Sequence, residues 1–292
     1  PYRFSSWNTI YRALLAELPT RRYRLGCEAV DITRDGTLTL GTGERVHADL
    51  VVCADGIGSA ARARLLPEIR PTYSGYVAWR GTLPEAELRP PTFDRLSDAI
   101  TYQVLADSHV LVYPIPGPDG SLEPGRRLTN VVWYRNVADL DRLMTDRTGK
   151  VRQVSLPPGT ARDDEVRHLR SDAAELLAPV IAEVLTAVPE PFVQVIYDIE
   201  VPRMVHGRIC LIGDAAFAVR PHAAAGTAKA AADGWALAVA LAAARGDLAR
   251  ALPEWERRQL ALGRDLLRRN REIGDASQKH GTFVPGDEKL IF

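Results

Sequence analysis

The segment 208–241 contains the residues whose order best suits chemistry. An apolar strand, Ile209–Ile212, runs into Gly213-Asp214, and an irregular loop with Pro221-His222 leads to a long alanine-rich helix. The carboxylate of Asp214 can bind hydroxyl groups, and small residues let a backbone approach a flat ring closely. The N-terminus of the helix adds unpaired N–H groups and a partial positive charge. This order suits a cofactor with a polar tail and a planar, electron-accepting ring.

A second acidic turn follows another short apolar strand. The strand Asp49–Ala54 leads into Asp55-Gly56-Ile57-Gly58-Ser59, with Arg62 three residues further on. Gly56 allows a sharp exit from the strand, and Ser59 can cap a helix that begins there. An ordinary strand–turn–helix corner would show the same pattern. The turn gains functional weight only in combination with Gly213-Asp214.

Composition excludes several classes of protein. The chain has 292 residues, 46% of them hydrophobic, and its 37 basic residues balance 37 acidic ones. No net field therefore attracts nucleic acid or an anionic membrane surface. The three cysteines are odd in number and have no CxxC spacing, which favours reduced thiols in the cytoplasm. We expect no transmembrane segment, because no apolar run has the required length, and we expect no metal site. We also expect no nucleic-acid partner, because the arginine-rich helix near the C-terminus carries leucines and acidic residues as well.

Periodicity predicts an α/β protein with a strand-rich middle. Arg34-Asp35-Gly36 is typical of a hairpin turn, and the proline- and glycine-rich stretch 114–126 is typical of a loop. Predicted strands cover 22–32, 37–47, 49–54, 72–83, 98–105, 109–115, 127–135 and 192–200. A first predicted helix has Ser5 or Ser6 as its N-terminal cap. Further predicted helices cover 163–188, 226–245 and 248–273. The order indicates one domain inserted into another, with boundaries that give 1–70, 71–200 and 201–292.

Both acidic turns resemble the FAD-binding motifs of the p-hydroxybenzoate hydroxylase family, the class A flavoprotein monooxygenases. The turn at Asp55 matches the family's Asp-Gly motif at every characteristic position, and 208–241 resembles the second FAD motif. Longer strings resemble the 2,6-dihydroxypyridine 3-hydroxylase branch. They are Phe4-Ser5-Ser6-Trp7-Asn8, Gly75-Tyr76-Val77-Ala78-Trp79-Arg80-Gly81, Glu200-Val201-Pro202-Arg203-Met204 and Arg220-Pro221-His222-Ala223-Ala224-Ala225-Gly226-Thr227-Ala228-Lys229.

The resemblance implies a Rossmann-like FAD-binding domain, an inserted β-sheet substrate domain and C-terminal helices. In the family, the first helix follows a βαβ unit with Gly-x-Gly-x-x-Gly, and this sequence has no such fingerprint. We therefore expect that roughly a hundred natural residues with that unit are absent before Pro1. A relative that never had the unit is the alternative.

The resemblance also implies which residues bind FAD. Relatives use an arginine or glutamine at the position of Arg12 for the phosphate or ribose region, and guanidinium geometry suits an oxyanion. Asp214 would bind a ribityl hydroxyl, the Asp55 turn would lie beside the FAD, and Pro221 would fix the loop near the ring. The N–H groups near Ala225, Gly226 and Thr227 would face the N1 and O2 edge of the flavin and stabilise its reduced anion.

Three departures concern the loop that would meet the ring. Phe217 stands where the family commonly has histidine, so no histidine role is transferred to that position. Ala223–Ala225 replaces the usual Gly-x-Gly before Gly226, and Ala228 replaces the usual asparagine. FAD remains the expected cofactor, and the fit of this loop to the ring differs from that of relatives.

The implied reaction is hydroxylation of an electron-rich aromatic or N-heteroaromatic ring, such as a dihydroxypyridine, through a flavin C4a-hydroperoxide. NADH or NADPH would supply the electrons, and a small aromatic substrate and oxygen would be the partners. His222 would do acid–base or hydrogen-bonding work, and Tyr76, Trp79 and Tyr197 would line the substrate cavity, although strand aromatics are also ordinary core. The alternatives are a flavin reductase or halogenase of the same fold, and an inactive fragment or binding module. The sequence leaves open whether the protein forms a homodimer.

Overall fold

The computed structural model describes residues 5–286, which divide into two compact units. Phe4 of the first family-like string lies outside the described residues. The first unit holds the described part of Pro1–Tyr23 together with Gly75–Ile196 and Ala276–Pro285. The second holds Arg24–Ser74, Tyr197–Asp275 and the described part of Gly286–Phe292.

The fold mixes helices and strands, as predicted. The helices are α1 (Trp7–Glu17), α2 (Ala60–Leu65), α3 (Pro90–Leu96), α4 (Leu140–Met144), α5 (Asp163–Leu176), α6 (Pro179–Ala187), α7 (Gly226–Ala243) and α8 (Leu248–Gln278). The strands are β1 (Ala29–Ile32), β2 (Thr37–Leu40), β3 (Arg45–His47), β4 (Val51–Cys53), β5 (Thr72–Pro84), β6 (Thr101–Val104), β7 (His109–Ile115), β8 (Leu128–Asn136), β9 (Ser155–Leu156), β10 (Phe192–Asp198) and β11 (Ile209–Leu211).

A six-stranded sheet in the order β6-β7-β8-β5-β10-β9 organises the first unit. Its two longest strands, β5 and β8, pair antiparallel from Tyr76 opposite Asn136 to Pro84 opposite Leu128. Side chains alternate between the faces of a strand, so Tyr76 and Ala78 of β5 and Val132 and Tyr134 of β8 share one buried cluster. The strand-rich middle predicted from the sequence is therefore present.

Helix α1 belongs to the first unit and begins at a serine cap. The hydroxyl of Ser6 accepts a hydrogen bond from the backbone N–H of Thr9 at 3.2 Å, which confirms one of the two predicted caps and satisfies one unpaired N–H of the first turn. No residue of α1 is buried.

The second unit is built on two adjacent parallel strands. Strand β11 pairs with β4, with Ile209 opposite Val51 and Leu211 opposite Cys53. Strands β1, β2 and β3 form a separate antiparallel sheet, and a buried cluster that includes Phe217, Leu237 and Trp255 joins α7 and α8 to this unit. Because neighbouring parallel strands end at the same edge of a sheet, the turns that follow β4 and β11 emerge side by side.

Two groups of element boundaries differ from the predictions. The predicted helix 163–188 is two helices, since α5 ends at Leu176 and α6 begins at Pro179. A proline disfavours helical geometry in the residue before it and is tolerated at the first helical position. The predicted strands 22–32 and 37–47 are shortened to β1, β2 and β3, because a turn at Gly43 interrupts the second of them.

All three cysteines are free thiols. Burial raises the pKa of Cys53 to about 11 and that of Cys210 to about 12. Both thiols are therefore protonated and poorly nucleophilic near neutral pH. Within residues 5–286, no helix is both long and apolar enough to cross a membrane, and no cluster of His, Cys, Asp or Glu has the arrangement of a metal site.

Candidate functional site

Arg62 joins the two acidic turns at the end of the parallel strands. Its side chain is 3% exposed, and its Nη1 donates to the backbone oxygens of Asp214 at 3.3 Å and Ala215 at 3.1 Å. Its Nη2 donates to the backbone oxygen of Ile57 at 2.5 Å. A buried guanidinium needs such acceptors, since burying unpaired N–H groups is costly. The two motifs are thus physically linked within one unit.

The Asp55 carboxylate binds residues of the turn and helix that follow it. Its carboxylate accepts hydrogen bonds from the hydroxyl of Ser59 at 2.6 Å and from the backbone N–H of Ala61 at 3.1 Å. The Ser59 oxygen in turn accepts from the N–H of Arg62, which confirms Ser59 as the cap of α2. Gly56 adopts a φ of 72° and makes the sharp turn out of β4. This accounts for Asp55 as a structural residue, and its cofactor role stays a prediction.

Asp214 lies in a short 3-10 turn, Gly213–Ala215, directly after β11. Gly213 has a φ of 58°, and a Cβ placed there would lie 3.2 Å from the side chain of Ala230 in α7. Glycine therefore allows both the turn and the close packing of α7. The Asp214 side chain reaches solvent, yet the surrounding protein removes enough water to raise its pKa, with Lys229 and Arg62 opposing the shift. The Asp214 carboxylate is therefore accessible to a ligand from solvent.

A buried ion pair beneath the turn was not predicted from the sequence. Asp233 is fully buried, and its Oδ2 accepts from the backbone N–H of Gly213 at 2.8 Å and from Lys229 Nζ at 2.5 Å. Lys229 is 3% exposed, and its ammonium lies 4.8 Å from the centroid of the Phe217 ring. Burial lowers the pKa of Lys229 and raises that of Asp233, and their mutual attraction opposes both shifts. The i,i+4 spacing of the pair was the available sequence signal.

The loop before α7 leads to a helix N-terminus without a side-chain cap. Pro221–Ala223 forms a 3-10 turn, Ala224 adopts a left-handed φ of 51°, and α7 begins at Gly226 without a side-chain cap from Ala225. The first N–H groups of a helix have no partner within it. An uncapped N-terminus flanked by small residues fits the electron-rich edge of a flat ring, so the residues here fit the flavin that the sequence implies.

The other predicted site residues lie in different surroundings. His222 and Tyr197 are half-buried in the second unit, and Tyr197 packs edge-on against Tyr73 with ring centroids 6.2 Å apart. Tyr76 and Trp79 are buried in the first unit, where Tyr76 packs edge-on against Tyr134. These positions are also those of ordinary core aromatics, so the substrate-binding roles stay predictions.

Arg12 lies on the exposed surface of α1 in the first unit. Its Nη1 donates to the backbone oxygen of Pro118 at 3.1 Å. The side chain lines a cavity of about 510 Å³ between α1 and the loop 115–120. Its predicted role toward a phosphate or ribose is untested by these contacts.

Comparison with known proteins assigns the chain to a class. A family model described as FAD binding domain-like matches residues 73–198. The chain is 39% identical to 2,6-dihydroxypyridine 3-monooxygenase of Paenarthrobacter nicotinovorans over 297 aligned residues, which cover 100% of this chain and 73% of that enzyme. It is 26% identical to a salicylate hydroxylase of Pseudomonas putida, covering 96% of this chain and 64% of that protein. The chain therefore belongs to the FAD-dependent aromatic hydroxylases.

A solved structure of the same group agrees with the sequence comparison. The 2,6-dihydroxypyridine-3-hydroxylase from Arthrobacter nicotinovorans superposes with a TM-score of 0.90 at 37% identity, covering 98% of this chain and 73% of that chain. Within the family, this chain is thus similar over nearly its whole length to a dihydroxypyridine hydroxylase. The predicted family and fold class are confirmed.

Proposed function

We propose that this protein binds FAD and uses it, with NADH or NADPH and oxygen, to hydroxylate a small electron-rich ring such as a dihydroxypyridine. One observation carries the proposal: the turns after β4 and β11 emerge at one edge of a parallel pair and are joined by Arg62. Ligands of parallel α/β sheets bind beyond the carboxyl ends of the strands. The names of the relatives, a 2,6-dihydroxypyridine 3-monooxygenase and a salicylate hydroxylase, support the hydroxylation, and the first of them supports the proposed substrate class.

Asp214 is the first residue expected to hold the cofactor. Its accessible carboxylate at the end of β11 suits a hydrogen bond from a ribityl hydroxyl. Burial raises the pKa of this carboxyl, and the charges of Lys229 and Arg62 oppose the shift. Asp55 would contribute by shaping the neighbouring turn, with its carboxylate directed to Ser59 and Ala61.

The N-terminus of α7 is expected to serve the ring. When bound, FAD supplies the transfer of electrons from the pyridine nucleotide to oxygen. The backbone N–H groups near Ala225, Gly226 and Thr227 would stabilise negative charge on the ring edge through the helix dipole. Pro221 holds the start of the preceding 3-10 turn.

The remaining roles concern the substrate. We propose that His222, on the 3-10 turn before α7, accepts or donates a proton or hydrogen bond at a substrate hydroxyl. Tyr76, Trp79 and Tyr197 are the proposed substrate-facing aromatics, and Arg12 is the proposed phosphate or ribose contact. The protein would act as a soluble cytoplasmic enzyme.

Visible spectroscopy of the purified protein tests the cofactor part. The protein, reconstituted with FAD and freed of excess by gel filtration, should show flavin bands near ~375 and ~450 nm. Asp214→Ala should weaken FAD binding at least tenfold. Asp49→Ala is the matched control, because this aspartate lies at the opposite end of β4 with its side chain 99% exposed. A colourless wild-type protein that does not bind added FAD would contradict the proposal and favour a binding module.

Product analysis tests the reaction. The reconstituted protein with 2,6-dihydroxypyridine should consume NADH or NADPH and oxygen and release a product one oxygen atom heavier. His222→Ala should lower the fraction of NAD(P)H oxidation that yields hydroxylated product. Cofactor oxidation without any oxygenated product would favour the reductase alternative, and unchanged turnover and coupling in the variant would remove His222 from the site.

A further inference from the structure

The loop 220–226, which separates Asp214 from α7, is held at its first residue and at its middle by polar side chains. These contacts lie within the second unit, and two of the three side chains that hold the loop, Asn270 and Asp275, belong to α8. Neither the family motifs nor the proposed roles of Asp214 and His222 use them. They determine where the backbone N–H groups before α7 point.

Asn270 of α8 holds the C-terminal part of the loop. Its side chain is fully buried. The amide oxygen Oδ1 accepts a hydrogen bond from the backbone N–H of Ala223 at 3.0 Å, and Nδ2 donates to the backbone oxygen of Leu266 at 2.9 Å. An amide buried in a packed helix is costly unless both ends are paired. Here one end is paired within its own helix and the other with the loop.

Arg220 anchors the N-terminal end. Its guanidinium is 7% exposed, and it binds Asp198 through Nε and Nη2 and Asp275 of α8 through Nη1 at 2.8 Å. Arg271 of α8 also binds Asp198, at 2.9 Å. The two arginines and two aspartates balance in charge, as a buried ionic group requires. The planar guanidinium with several fixed contacts leaves Arg220 little freedom.

Two residues, Pro221 and His222, lie between these anchors in the 3-10 turn. After the second anchor, the left-handed Ala224 and then Ala225 lead to the start of α7 at Gly226. With Arg220 held by Asp198 of β10 and Asp275 of α8, and Ala223 held by Asn270 of α8, rotation of this short segment would break a buried hydrogen bond or an ion pair. The orientation of the N–H groups at 225–227 is therefore set from α8.

We infer that α8 positions the flavin-facing loop and that Asn270, by holding the N–H of Ala223, is a positioning residue of the cofactor site. This inference rests on the proposed function. It assigns Asn270 an effect on cofactor binding and on the flavin spectrum that a purely structural amide in α8 would not have.

Two leucine substitutions in the same helix provide the test. In the reconstituted protein, Asn270→Leu should raise the FAD dissociation constant at least tenfold and shift the long-wavelength flavin band. Gln259→Leu is the matched control, because Gln259 is also a buried amide of α8, 6% exposed, whose Oε1 has no hydrogen-bond partner. This control should bind FAD within twofold of wild type. Asn270→Asp keeps an acceptor oxygen at the same place and should recover most of the lost affinity.

Three results would overturn the inference: a folded Asn270→Leu protein with wild-type affinity and spectrum, a Gln259→Leu protein that is equally impaired, or an Asn270→Asp protein as weak as the leucine variant. Hydrogen exchange in the wild-type protein covers the case in which Asn270→Leu does not fold. The amide of Ala223 should exchange slowly even without FAD, and fast exchange would also refute the inference. If the wild-type protein binds no FAD while the amide of Ala223 exchanges slowly, the proposed function fails, but the hydrogen bond by which Asn270 holds the loop is still supported.

Discussion

Protonation of His109 is expected to destabilise the first unit as the pH falls from about 6.5 to about 4. His109 lies on β7 with 2% of its surface exposed, among the rings of Tyr102, Tyr134 and Phe283. Its Nδ1 lies 2.5 Å from the hydroxyl of Ser277 near the end of α8. The imidazole therefore joins the segment 276–285 to the six-stranded sheet.

The sign and size of the effect follow from burial. Desolvation lowers the pKa of His109 from 6.5 to about 4, so the unfolded chain binds the proton first as the pH falls. Above pH 6.5 the ring is neutral in both the folded and the unfolded chain, and the free energy of unfolding is not reduced. It decreases as the pH falls below 6.5, and the loss is complete once the pH has fallen through the folded pKa of about 4. At about 1.4 kcal/mol per pKa unit, a shift of this size corresponds to about 3 kcal/mol, a large share of the stability of an ordinary domain.

Chemical denaturation at a series of pH values measures this effect. Between pH 7 and pH 4, the unfolding free energy of the wild type should fall by about 3 kcal/mol more than that of His109→Asn, because the variant lacks the titrating ring. The carboxylates are common to both proteins, so their titration cancels in the difference. His47→Asn is the control, since His47 is exposed on β3, and it should keep the wild-type slope. If the difference between wild type and His109→Asn stays constant over this range, the argument from burial is wrong.

Three further substitutions test packing and capping. Gly263→Ala should destabilise the protein relative to Gly234→Ala by about 1–3 kcal/mol, measured by denaturant unfolding: a Cβ at Gly263 would lie 2.7 Å from the buried Phe217 ring, whereas one at Gly234 meets nothing within 4 Å. Equal stability of these two variants would contradict that account. Ser59→Ala should cost about 1 kcal/mol through loss of the α2 cap, and an unchanged unfolding midpoint would refute the assigned role. Arg62→Met should cost at least about 1–3 kcal/mol by leaving three backbone oxygens without their donor, and wild-type stability would show that the link between the turns contributes nothing.

Local chemistry made several elements predictable from the sequence. Ser59 could be predicted as a cap, and Ser6 as one of two candidates with Ser5, because a hydroxyl before an amphipathic stretch pairs with a free N–H of the first turn. The strand–glycine–aspartate order placed Asp214 at the end of β11, as observed. The break at Pro179 was also visible in the sequence, and the prediction of one helix over 163–188 gave too little weight to proline.

Contacts between distant parts of the chain explain what could not be predicted. Arg62 contacts residues about 150 positions away, and Asn270 holds a loop 47 positions earlier. The local sequence marked Arg62 only as a motif position and did not mark Asn270 at all, because a buried polar side chain is indistinguishable from a solvated one until the fold places its partner. The contacts of Asp55 were not predicted either: its carboxylate accepts from Ser59 and Ala61 at the start of α2, and its cofactor role stays a prediction.

The left-handed backbone of Ala224 has a consequence for how this loop tolerates change. Holding an alanine at a φ of 51° costs about 1–2 kcal/mol. Glycine would relieve this cost but would add freedom to the unfolded chain worth about 0.4–1 kcal/mol, so the two residues differ little in net folding energy. The methyl group, by contrast, changes the contour that the loop offers to a flat molecule. We therefore expect the shape of the loop surface, more than the free energy of folding, to determine whether position 224 accepts alanine or glycine.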